Sequence, residues 1–145
     1  MATVKVTVGT RTALTASTLP TLANAAYATS AVKDNTTNRP SDLMVELNVT
    51  PGTVAGNKQA ILFAQASLDN TNFQTGATAA DEADLTYIGT LALATNATAQ
   101  RGIFPVAVAY GGVLPTYVRF VVKNDSGVAF TAGTLFVSEV VVTVA

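Results

Sequence analysis

Residues 43–50 place Leu43, Val45, Leu47 and Val49 on one side of the chain and Met44, Glu46, Asn48 and Thr50 on the other. Alternation this strict specifies a β-strand with one buried face, because successive side chains of an extended backbone point to opposite sides of a sheet. The pattern recurs along the chain. Residues 1–8 alternate apolar and polar side chains, and residues 116–123 set Val118, Phe120 and Val122 against Tyr117, Arg119 and Lys123. Residues 59–68 place Leu62, Ala64, Ala66 and Leu68 opposite Phe63, Gln65 and Ser67. Residues 85–93 are read with Leu85, Tyr87, Leu91 and Leu93 on one side and Gly89 as a bulge or a point of close approach. Residues 103–110 are continuously apolar, and Pro105 marks a sheet edge or a strand start. Residues 134–144 present Phe136, Val140, Val142 and Val144 as one apolar face interrupted by Ser138. Such Val- and Thr-rich runs suit a pleated surface far better than a helix.

Turn chemistry separates these runs at Pro51-Gly52, Gly56-Asn57, Asp69-Asn70-Thr71-Asn72, Gly111-Gly112 and Asn124-Asp125-Ser126-Gly127. Residues 9–42 differ. They are rich in Thr, Ala and Ser with sparse Leu, and residues 22–28 suit one short helical turn. This stretch either adds strands to the domain or forms an extended arm lying on a neighbouring subunit. The expectation is therefore an all-β chain: a single jelly-roll-like β-sandwich of seven or eight strands over residues 1–145, its core in 43–145, with 1–42 as a possible N-terminal arm.

Composition limits the chemistry. The chain contains no His and no Cys, so a Ser-His-Asp triad, a Cys-His pair and a His/Cys zinc centre cannot be built. No disulfide is possible, and nothing about redox compartment follows. Eight basic residues against nine acidic ones give a net charge of -1, which offers no broad attraction to phosphate, so no nucleic-acid partner is expected. The longest apolar stretches fall far short of the ~20 residues of a spanning helix. Residues 1–8 read as a strand and not as a signal peptide, and no membrane partner is expected. With 49% hydrophobic and only 12% charged residues, either alanine inflates the apolar share or apolar surface is covered by other subunits.

The remaining polar clusters are weak candidates for catalysis or metal binding. Asp81-Glu82-Ala83-Asp84 is the densest carboxylate group and is read as a solvated loop in preference to a calcium site. Glu46 and Glu139 lie on strands that are candidates for neighbours, but nothing in the sequence fixes the separation a glycosidase requires. Neither a P-loop nor a dinucleotide glycine motif occurs. Asn-x-Ser/Thr sequences at Asn35, Asn48, Asn96 and Asn124 are read as chance in a chain rich in Asn and Thr. Tyr27, Tyr87, Tyr110 and Tyr117 would stack sugars only if several lined one face. No catalytic residue, cofactor or metal is assigned. Lys5, Arg11 and Arg39 are the candidate partner contacts, Arg being suited to planar bidentate pairing at interfaces.

Two segments carry a resemblance. Residues 64–73, Ala-Gln-Ala-Ser-Leu-Asp-Asn-Thr-Asn-Phe, resemble an A-S-x-D-G-T-N-[FW] strand and turn, with Asn70 in place of the usual Gly. Residues 117–127, Tyr-Val-Arg-Phe-Val-Val-Lys-Asn-Asp-Ser-Gly, resemble a Y-V-R-[FL]-x-V-x-N-x-[ST]-G strand and turn. Together, and in this order, they are similar to small β-sandwich structural proteins of tailed bacteriophage particles, among them capsid decoration (cement) proteins. The likeness spans roughly residues 59–144, and the same patterns occur in β-sandwich modules that bind carbohydrate. The resemblance implies a non-enzymatic virion protein on the outer face of a capsid, clamping the major capsid protein and joined to copies of itself as a homotrimer. A phage tail or baseplate component and a carbohydrate-binding module are the alternatives. In each case the matched residues are expected to be scaffold.

Overall fold

The computed structural model describes residues 1–145. Ten strands form: β1 (Val4–Val8), β2 (Thr12–Ala13), β3 (Tyr27–Thr29), β4 (Lys33–Asp34), β5 (Asp42–Pro51), β6 (Gln59–Ser67), β7 (Thr86–Ala92), β8 (Gln100–Pro105), β9 (Tyr117–Asp125) and β10 (Phe130–Val144). They pair antiparallel into two sheets. Sheet A runs β1-β10-β5-β8 with β2 also on β10, and sheet B runs β3-β9-β6-β7 with β4 also on β9. If β1 with β2, and β3 with β4, are taken as interrupted single strands, the chain crosses between sheets at every step except the β6–β7 hairpin. That winding is the jelly roll, an all-β sandwich whose two packed sheets enclose the core.

The alternation in β5 and β9 sets the core. Leu43, Val45, Leu47 and Val49 of β5 are at most 1% exposed and face Val118, Phe120 and Val122 of β9 with Leu62 and Ala64 of β6. Burying an aliphatic side chain of this size is worth about 1.5–3 kcal/mol each, which makes these facing rows the dominant favourable term. Residues 9–42 lie within the sandwich: β2, β3 and β4 extend both sheets, and Leu14, Leu19, Leu22 and Ala28 are buried in the same core. The helical turn expected over residues 22–28 falls earlier, as a 3-10 turn at Leu19–Thr21, and Tyr27–Thr29 is extended against β9. Pro20 at its start favours that position, since its fixed φ suits a first helical residue.

Three side-chain assignments change. In β10 the core-facing residues are Leu135 and Val137, opposite Leu47 and Val45, so Phe136, Val140, Val142 and Val144 lie on the outer face of sheet A. Valine occurs at both parities near the strand's end, and apolar pattern alone does not tell inside from outside there. In β7 the register shifts between Leu62 and Phe63, leaving Ile88 as an extra residue beside Gly89. This bulge reverses the parity of the strand. Leu91 and Leu93 therefore join the core while Leu85 packs on the outer face of sheet B with Phe63 and Val121. Leu68 lies just past β6 and is exposed. Pro105 closes β8, an edge strand paired only with β5, as a residue without an N–H requires.

Candidate interaction surface

The most unusual surface is built by β1 and the end of β10. Val4, Val6 and Val8 stand directly opposite Val144, Val142 and Val140, on the outer face of sheet A. Val4, Val6 and Val8 are 61–63% exposed, and Val142 and Val144 are 46% and 69% exposed. β5 begins at Asp42, opposite Val140, so beyond that point the two strands continue as a ribbon with no third strand beside them. A row of six valines, five of them open to solvent and Val140 half-buried, contrasts with the usual surface of a free monomer, which keeps apolar patches small. On the β8 side of the same face Ile103 is also exposed.

Between these apolar ends lies a charged patch. The Arg11 guanidinium sits 3.3 Å from the centre of the Phe136 ring and donates to Glu46 at 2.6 Å, while Arg101 approaches the same carboxylate at 3.3 Å. The structure separates the three residues read from sequence as partner contacts. Arg11 is occupied within the chain by Phe136 and Glu46. Lys5 projects from β1 opposite Thr143. Arg39 sits at positive φ in the loop before β5, beside Asn35, Leu114 and Pro115. The valine row was missed because its exposure depends on β1 being an edge, a property of topology.

The carboxylates do not gather. Glu46 lies on the outer face, whereas Glu139 has core parity at the end of the sandwich and accepts from Lys33 at 2.5 Å and Asn38 at 2.7 Å. The Lys33 hydrogen bond, then that of Asn38, holds Glu139 below the usual glutamate range. The loop around Asp81-Glu82-Ala83-Asp84 is open to solvent at Ala83 and Asp84 and tied down at Glu82. Glu82 accepts from Lys123 at 2.6 Å and from the Tyr27 hydroxyl, drawing the loop over Leu85, Phe63 and Val121. Its pKa is lowered by the Lys123 hydrogen bond first and Tyr27 second, while that of Lys123 is raised by the same bond. Asp81 accepts from Thr78, and Asp84 from Thr75. No three carboxylates come within metal-binding reach of one another.

Both resembling segments are structural knots. Asn70 has φ 60°, the left-handed region in which Gly is easiest and Asn next, so its replacement of Gly keeps the turn. Asp69 accepts from the N–H group of Asn72 and then that of Thr71, which hold its carboxyl well below the ordinary range. Asn124 is fully buried: its amide donates to the carbonyls of Leu22 and Val128, and its Oδ1 accepts from the Ser126 N–H and hydroxyl. The two segments also meet. Arg119 donates to the buried Gln65 at 2.8 Å and lies 4.2 Å from the centre of the Phe73 ring. No protein-family model matches the chain, and no curated protein matches its sequence.

Proposed function

We propose that this chain is a non-enzymatic virion structural protein that decorates and cements a tailed-phage capsid by bridging neighbouring shell subunits. The observation that carries the proposal is the exposed valine row on a jelly roll whose motif residues are occupied in holding turns. Cementing requires apolar patches that several modest contacts can cover, and multivalent attachment to a repeating shell gives avidity without one tight site. The test is particle occupancy. A chain with Val4, Val6 and Val8 all replaced by Thr keeps its β-propensity and its circular dichroism spectrum, and its occupancy on undecorated particles of the source phage is expected to fall at least tenfold. Wild-type occupancy by that variant overturns the proposal.

One observation favours the carbohydrate-binding alternative. Tyr27, Phe63 and Tyr87 border an open groove on the outer face of sheet B beside Glu82 and Lys123. Aromatic faces beside polar groups suit sugar stacking. A glycan array separates the readings: a signal lost in Tyr87→Ala and retained in the valine variant favours the sugar site.

A further inference from the structure

The open side of β1 is a second feature of the ribbon, distinct from its valine face. Thr3 and Ala145 exchange both backbone hydrogen bonds, at 2.8 and 3.0 Å, and the Gly9 N–H bonds to the Glu139 carbonyl at 2.8 Å. Bonded positions alternate along an antiparallel pair. Thr3, Lys5, Thr7 and Gly9 therefore turn their backbone groups toward β10, while Val4, Val6 and Val8 turn theirs away from it. No strand lies on that side: β10 is the only neighbour of β1, and all five residues of β1 are exposed. Nor is the edge protected in the usual ways. It has no proline and no bulge, and Lys5 is its single charge.

Such an edge is completed by another extended strand. We propose that the strand is β1 of a second copy of this chain, running antiparallel about a two-fold axis through Val6. Parity restricts the registers, because only the outward-turned Val4, Val6 and Val8 can form bonded pairs. With the axis through Val6, Val6 bonds the partner's Val6, and Val4 bonds the partner's Val8, so every outward-turned valine backbone is satisfied. A shift of two residues in either direction leaves one valine of each chain without a bonded partner among the three. One of those shifts also sets Lys5 against the partner's Lys5, a repulsive pairing. The register through Val6 instead sets Lys5 against the partner's Thr7, with no like charges facing. The valines then fall on one face across the junction, and sheet A continues from one copy into the other. The contact uses the same surface on both copies, so it closes at two and does not propagate. It rests on the edge geometry alone and is independent of any particle.

The absence of cysteine makes the test clean. Lys5 and the partner's Thr7 form a non-bonded pair, the closer of the two antiparallel spacings, within the Cα separation of a disulfide. Lys5→Cys chains mixed with Thr7→Cys chains are expected to cross-link under mild oxidation at least fivefold more than either alone. By sedimentation the wild type is expected to be dimeric, and Val6→Pro monomeric with an unchanged circular dichroism spectrum, since the Val6 N–H faces away from β10. A wild type that stays monomeric at high concentration overturns the proposal. So does a trimer without the mixed cross-link, or preferential cross-linking of Lys5→Cys to itself. Particle occupancy is read separately, so failure of the decoration reading leaves these outcomes unaffected.

Discussion

Gly89 and Gly102 show how missing side chains set the packing of the sandwich at its β7–β8 side. A Cβ at Gly89 would lie 2.3 Å from Phe104 Cδ1, and one at Gly102 would lie 2.8 Å from its Cζ. The Phe104 ring thus occupies the space both glycines leave. Gly89→Ala is expected to push the ring aside and lower stability by about 1–3 kcal/mol, the usual cost of overpacking, read as a lower urea midpoint. A second prediction at this scale concerns Glu82. A carboxylate held below its ordinary pKa contributes stability that is present above the unfolded-state value, ~4.3, and lost as pH falls through the folded one. Lys123, whose pKa is raised, contributes stability below its unfolded-state value that is lost as pH rises through the folded one. Glu82→Gln is therefore expected to flatten the loss of thermal stability below about pH 4 and to cost about 1 kcal/mol or less at pH 7, the range for partly exposed pairs. An unchanged acid limb in that variant would remove the Lys123–Glu82 pair as its source.

At the scale of elements, the β9–β10 turn is held by one buried amide. Asn124 has bonded partners for both its nitrogen and its oxygen. Asn124→Ala takes the side-chain acceptor from the buried Ser126 N–H and one of two donors from each of the Leu22 and Val128 carbonyls, and is expected to cost about 2–4 kcal/mol, several buried bonds each contributing about 1. Calorimetry should show the loss as a lower Tm with unfolding still cooperative. Elements such as β5 and β9 were legible in sequence because the alternate residues Leu43 to Val49 and Val118 to Val122 are apolar while the opposite faces carry charge or amide groups. β7 was not, because Ile88 is extra in the ladder and a single inserted residue reverses every side chain beyond it. β10 misled for a different reason: with Val137, Val140, Val141, Val142 and Val144 spread over both parities, only its register with β5 shows which side is buried. Residues 9–42 gave little signal because Leu14, Leu19 and Leu22 enter the core singly from irregular segments or their ends. The interaction surface was the least legible part. Alternation in residues 1–8 identifies a strand, but not that its valines face solvent at an edge.

Across the whole molecule, stability and surface chemistry are separable. β1 joins the chain's two ends, Val4 standing opposite Val144, yet none of its residues belongs to the core. The core is completed by segments from Leu14 onward, so removing residues 2–42 would delete Leu14, Leu19, Leu22 and Ala28 and unfold the sandwich. Removing residues 2–8 is the informative truncation. It exposes the β10 edge from Val140 to Val144 without opening a cavity, whereas Leu47→Ala leaves one in the centre and costs about 2–5 kcal/mol. The truncated chain is therefore expected to unfold cooperatively in urea with a smaller loss of stability than Leu47→Ala, and to lose self-association and particle occupancy. Leu47→Ala, under conditions where it is still folded, is expected to retain both. If the truncation instead abolished cooperative unfolding, β1 would be a structural strand whose valines stabilise the monomer, and the division between a buried core and an outward-facing ribbon would fail.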